Sequence, residues 1–165
     1  VLMKVTKTRK IAAFAAAAIT MSLALSGCAS AVPMEPAEDA NNPACADVIV
    51  RLPKTVADLP KRATNAQATG AWGDPVGVEL RCGVPTSGPT TDMCVSVKGV
   101  DWIIDDSEAP IYRFEAYGRE PGLEVFVNSE LASGTMVATD LTNVAQMLPQ
   151  VRQCTSYDDS RRIDK

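Results

Sequence analysis

The chain predicts an α+β fold, a two-layer sandwich in which an antiparallel sheet of about five short strands carries two short helices on one face. Three observations lead there. Apolar and polar residues alternate through the middle of the chain, apolar residues recur at helical spacing near both ends of that region, and the turns between the alternating runs are too short to hold crossover helices.

The first helix is expected to start at Asn42, a side chain suited to capping, with Pro43 in its first turn. Cys45, Val48, Ile49 and Leu52 then fall at i, i+3, i+4 and i+7, one apolar face that Pro53 ends. The stretch 54–70 shows no sustained period and reads as loop, with Val56 and Leu59 as core contacts. From Val76 the period becomes two. Val76, Val78, Leu80 and Cys82 alternate with Gly77, Glu79, Arg81 and Gly83. The runs 94–97 and 100–105 follow, and Lys98-Gly99 between them has the length of a two-residue hairpin, a glycine bulge in one longer strand being the competing reading. Tyr112, Phe114 and Ala116 alternate with charged or polar neighbours, as do Leu123, Val125 and Val127 after Glu120-Pro121-Gly122. The second helix is expected to be capped by Thr139 or Asp140, with Leu141, Val144, Ala145 and Leu148 on one face and Pro149 closing it.

Upstream of the domain the chain reads as an export signal. Lys4, Lys7, Arg9 and Lys10 precede a charge-free apolar run from Ile11 to Leu25, shorter than the roughly 20 residues of a permanent membrane span. Leu25-Ser26-Gly27-Cys28 resembles the lipobox of bacterial lipoproteins, which implies cleavage before Cys28 and acylation of its thiol. Residues 1–27 are then a lipoprotein signal peptide, 28–42 a lipidated flexible spacer, 43–155 one domain, and 156–165 a charged tail. Two or three acyl chains hold a protein to a bilayer where one does so only marginally. The expected location is the extracytoplasmic face of the cell membrane, with the lipid bilayer as one partner through Cys28.

Four of the 16 basic residues leave with the signal, while all 20 acidic residues stay. So acidic a domain argues against nucleic acid as a partner. With Cys28 acylated, Cys45, Cys82, Cys94 and Cys154 remain, an even set in an oxidising compartment, and three pairings are open. Proximity in sequence favours Cys82 with Cys94, leaving Cys45 with Cys154 to join the two ends. The absence of histidine and of paired cysteine spacing argues against a metal site, and nothing in the chain calls for a cofactor.

Ala71-Trp72-Gly73-Asp74-Pro75, Leu80-Arg81-Cys82-Gly83-Val84, Gly99-Val100-Asp101-Trp102 and Tyr117-Gly118-Arg119-Glu120-Pro121 follow in that order, with cysteines at both ends. Together they resemble an actinobacterial family of small exported proteins classed only as a domain of unknown function. The resemblance implies a cell-envelope setting and brings no catalytic residues with it.

On chemistry alone, Trp72 and Trp102, each near an acid in Asp74 or Asp101, are candidates for the walls of a shallow ligand groove, with Arg81 or Arg119 as anion contact. The plainer reading makes both tryptophans core residues and pairs Arg119 with Glu115 or Glu120. Without histidine there is no Ser-His-Asp or Cys-His base. A carboxylate pair drawn from Asp101, Asp105, Asp106, Glu108 and Glu115 remains available for hydrolysis of cell-wall glycan. The expectation is a membrane-anchored, non-catalytic binding or accessory domain that meets an envelope protein or cell-wall component. The alternatives are that carboxylate-dependent hydrolase and a lipid or small-molecule carrier, the latter requiring a sizeable apolar cavity.

Overall fold

A computed structural model describes residues 30–155. The expected signal peptide, Cys28 and the tail 156–165 lie outside the described residues. Residues 31–155 belong to one compact unit.

Helix α1 spans Pro43–Val50. Strands β1 (Thr55–Val56), β2 (Leu59–Arg62), β3 (Thr69–Trp72) and β4 (Val78–Val84) follow. Then come β5 (Cys94–Val97), β6 (Val100–Asp105), β7 (Ile111–Ala116), β8 (Gly122–Asn128) and helix α2 (Gly134–Ala145). The strands form an 8-stranded sheet in the order β1-β2-β3-β4-β8-β7-β6-β5, antiparallel throughout. It is thus two four-strand meanders joined where β4 pairs with β8. The α+β class and the antiparallel sheet with two helices stand, but the expected count of about five strands becomes eight.

The additional strands fall in the stretch expected to be loop. Each is two to four residues long, and the burial of β2 and β3 does not alternate, so no period of two marks them. They are held instead by turn geometry. Ala57 and Asp58 both adopt positive φ (47° and 63°), which closes the β1–β2 hairpin, and the Asp140 carboxylate accepts from the Ala57 amide at 2.8 Å. The Lys98-Gly99 connection is a two-residue hairpin, with φ of 48° and 81° at its two positions.

Asn42 caps α1 by accepting from the Ala44 amide at 3.0 Å, and Cys45 and Val48 are fully buried. Helix α2 begins six residues before the expected Asp140 cap, with Ser133 at its N-cap position. Asp140 serves the β1–β2 turn instead. Leu141, Val144, Ala145 and Leu148 are buried as expected.

Register assigns the two faces. Gly70, Leu80, Val125, Phe114 and Ile104 form one row across the sheet, and Trp72, Val78, Val127 and Tyr112 a second on the same face. Both helices cover this inner face: α1 is tied to it through Cys45–Cys82, and Gly134 at the start of α2 abuts the Phe114 ring. The outer face carries Arg81, Glu124, Glu115 and Ile103 in one row and Glu79, Phe126, Arg113 and Asp105 in the next.

This alternation corrects the disulfide pairing. Cys82 points to the inner face and Cys94, opposite Ile103, to the outer, and three strands lie between β4 and β5. The two cannot meet. The bonds are Cys45–Cys82, with Cα atoms 5.6 Å apart, and Cys94–Cys154, 6.5 Å apart. The former is fully buried between helix and sheet, and the latter ties the chain beyond α2 to the edge strand β5.

The segment expected as a flexible spacer is docked from Ala31 to Asn42, which corrects that boundary. Val32 is buried, donates to Ala63 at 2.8 Å and accepts from Asn65 at 3.2 Å, while the Met34 amide donates to the Asn65 side chain at 2.8 Å. Asp39 donates to Gly83 at 2.9 Å, and Ala40 joins the core. Gly83 has a φ of 99°, and a Cβ there would collide with the Asp39 backbone. The contact therefore requires glycine on both counts.

Candidate functional site

The outer face, which a one-sided sheet would leave to solvent, holds a charged network with its acids inside. Glu115 stands directly opposite Glu124 on neighbouring strands, and Glu124 directly opposite Arg81. Two like charges so placed repel unless cations intervene. Here Arg81 Nε lies 2.7 Å from Glu124 Oε1, and Arg113 Nη1 lies 3.4 Å from Glu115 and 3.7 Å from Glu124. Both carboxylates are buried while both guanidiniums reach the surface. Glu115 is further closed off by the 85–93 connection, where the Ser87 amide and hydroxyl donate to it at 2.8 and 2.6 Å.

Beside this network, and sharing Arg81 with it, lies an open groove of about 800 Å³. Pro33, Met34 and Glu35 of the docked N-terminal segment form one wall, and Glu79, Arg81 and Phe126 of the sheet form its floor. The Arg81 guanidinium lies over the Phe126 ring, 5.4 Å from its centroid, a cation–π contact. Arg81 uses Nε and one terminal nitrogen on Glu124, and a guanidinium carries five N–H donors. The arrangement is a preorganised donor on an aromatic platform, suited to a carboxylate or other anionic group. A smaller hollow of about 190 Å³ shares Ile111 and Phe126 and adds Asp105, Glu108 and Arg113. Hydrogen bonds from Ser107 hold the Asp105 carboxyl below the usual carboxylate range.

Of the six residues singled out for a ligand groove, Arg81 alone lines this one. Trp72 is fully buried, its Nε1 donating to Pro53 O at 3.0 Å. Asp74 is exposed and lies 3.3 Å from Arg62. Asp101 accepts from the Cys154 amide at 2.7 Å. Trp102 is buried on the inner face. Arg119 is buried, and pairs with neither Glu115 nor Glu120 as expected but donates to Leu148 O at 2.9 Å and Gly99 O at 3.5 Å. Burial lowers its pKa, opposed by nearby Asp101.

Of the carboxylates considered for hydrolysis, Asp105 and Glu108 border the smaller hollow together and the others lie apart. Asp106 and Glu108 are exposed on the β6–β7 turn, Asp101 is tied to Cys154, and Glu115 lies beneath Ser87. Cys94, Cys154 and Asp101 place ligand-type atoms within 4.8 Å of one another, but the sulfurs are bonded to each other. Sequence reasoning missed Glu124, Phe126 and Arg113 as members of the site. A signal was present, since an acid and an aromatic occupy the polar positions of the run from Leu123 to Val127.

A family model described as a protein of unknown function, DUF3515, matches residues 8–153. No curated protein and no solved structure matches the chain.

Proposed function

The chain belongs to the DUF3515 family of proteins of unknown function, and from that premise we propose that it is a membrane-tethered, extracytoplasmic domain that acts by binding and not by catalysis. The observation carrying this reading is the open groove whose floor presents Arg81 over the Phe126 ring, with the same guanidinium held by Glu124. An open groove of this volume has room for a partner segment as well as for a small molecule. The partner is an envelope protein or cell-wall component presenting a carboxylate.

Crosslinking in intact cells followed by pull-down tests this. Arg81→Met and Phe126→Ala, made separately, are each expected to reduce recovery of the captured partner at least tenfold, equivalent to about 1.4 kcal/mol. Equal capture by both variants overturns the groove as the site. Glycan turnover that disappears in Asp101→Asn, with no stoichiometric partner, replaces binding with hydrolysis.

The tether is tested separately. Cys28→Ser is expected to abolish lipid labelling and release the protein from washed membranes, leaving an uncleaved or soluble form. Unchanged labelling and retention would overturn the anchor.

A further inference from the structure

Three turns, residues 73–77, 106–110 and 129–133, meet at one end of the sheet, where β3, β6 and β8 end and β4 and β7 begin. Hydrogen bonds lace them together. The Asn128 amide donates to Gly77 O and the Ser129 amide to Pro110 O, each at 2.9 Å. This end carries exposed aliphatic side chains on both sides of Asn128. Ile111, its partner on β7, is 37% exposed, and Leu131 is 39% exposed. Leu131 lies against Gly77, where an added Cβ would come within 3.1 Å of its own Cβ, and the half-buried Val76 is next in the chain. Exposed aliphatics on a soluble surface are ordinarily scattered singly.

The way the chain enters the domain indicates what covers this end. Val32 pairs in parallel with Thr64, two residues beyond β2, so the chain runs into that bridge in the direction in which β2 runs. Lys61 of β2 stands opposite Trp72, the last residue of β3, so β2 begins at the end that carries Val76, Ile111 and Leu131. Cys28 is four residues before Val32, a separation that extended chain bridges with at most about 14 Å. Crossing the headgroup layer takes up about 6 Å of that. A domain of this size has a radius of gyration of about 14 Å. Acylated at Cys28, it has no room to stand clear of the bilayer, and one of its faces must lie on it. The charge at this end selects the lipid. Asp58, Asp74, Asp106, Glu108 and Glu130 are exposed around it. So acidic a rim is repelled by anionic lipid and finds its counter-charge in headgroups that carry an ammonium.

We propose that this end of the sheet rests on the bilayer that holds Cys28, with Val76, Ile111 and Leu131 at the interface of a zwitterionic, ammonium-bearing phospholipid surface. The inference rests on the lipid anchor proposed above and adds a direct contact between protein and lipid. The Arg81 groove, whose lining includes Val76 and Ile111, then opens at the membrane.

The lipidated chain on vesicles of phosphatidylethanolamine and phosphatidylcholine tests this, with flotation reporting the anchor and amide exchange the face. The parent is expected to float and Cys28→Ser to stay behind; a parent that does not float overturns the anchor, and this contact with it. Exchange in the three turns is expected to slow at least fivefold on vesicles, relative to Cys28→Ser in solution, and to stay unchanged at residues 117–121 at the opposite end. A floating chain without this protection overturns the face and leaves the anchor standing. Protection that vanishes at one chain per vesicle assigns the face to a second copy and overturns the lipid. Ile111→Trp and Leu131→Trp report insertion separately, since the native Trp72 and Trp102 are buried. Brominated phosphatidylcholine is expected to quench each at least threefold more than Val151→Trp, which lies at the opposite end, where the Val151 amide donates to Gly118 at 2.7 Å. Equal quenching of all three overturns the proposal. Phosphatidylglycerol vesicles are expected to weaken the protection, and about 0.5 M sodium chloride to restore it; protection indifferent to phosphatidylglycerol overturns the ammonium headgroup.

Discussion

Replacing Cys45 and Cys82 together by alanine is expected to lower stability by about 4 kcal/mol, the loop-closure entropy that a crosslink spanning this length removes from the unfolded chain. The bond joins residues 37 apart in sequence and is the covalent tie between α1 and β4. Both sulfurs are fully buried, so their loss also leaves space at the helix–sheet contact. A typical domain has roughly 5–15 kcal/mol in all. The variant should therefore unfold at much lower urea than the parent, both measured without reductant. A midpoint change corresponding to less than about 1 kcal/mol would show that α1 holds to the sheet by packing alone. Peptide mapping of the unreduced parent provides an independent check. It should link Cys45 to Cys82 and Cys94 to Cys154, and a Cys82–Cys94 peptide would contradict the face assignment.

Arg119→Met is expected to cost about 3 kcal/mol, since hydrogen bonds from a charged donor are strong and a buried carbonyl left without its donor adds a penalty. The guanidinium joins the chain after α2, through Leu148 O, to the β5–β6 hairpin, through Gly99 O, and its own carbonyl accepts from the Thr86 hydroxyl at 2.7 Å. Three segments distant in sequence meet at one residue, two of them through its cation. Methionine keeps the packed stem and removes the donors. Urea denaturation should report the loss, while capture of a partner by the fraction still folded should match the parent. Selective loss of capture without loss of stability would restore Arg119 to the role of ligand contact.

Where local chemistry and burial agreed, the elements were readable from the sequence. Asn42 and Pro43 opened α1, Lys98-Gly99 supplied the positive φ values of a tight hairpin, and the runs through Leu80, Phe114 and Val125 alternated as half-buried strands do. The β1–β3 region was hidden because its strands are short and held by turn residues, including Ala57, whose positive φ its side chain does not advertise. The pairing of cysteines required strand order as well as parity, and strand order depends on β4 meeting β8 across 37 residues that include three other strands. Part of the candidate site was also non-local. Arg81 was identifiable as a contact, but the residues that orient it, Glu124 and Phe126, come from β8. The docking of residues 31–42 was concealed by composition: two prolines, three acids and small residues read as linker, although Val32 and Ala40 are buried.

For the tethered binding domain proposed above, that docking sets the radius of action of the groove. Pro33 belongs to its wall, and Cys28 is five residues before it, a separation that fully extended chain bridges with at most about 18 Å. For a chain acylated at Cys28, the groove therefore samples a thin shell of space beside the bilayer instead of a wide hemisphere. Partners embedded in or lying on the same membrane meet it at the high effective concentration of short tethers, on the order of millimolar when geometry permits. Those held farther out in the envelope meet it only by approaching the membrane themselves.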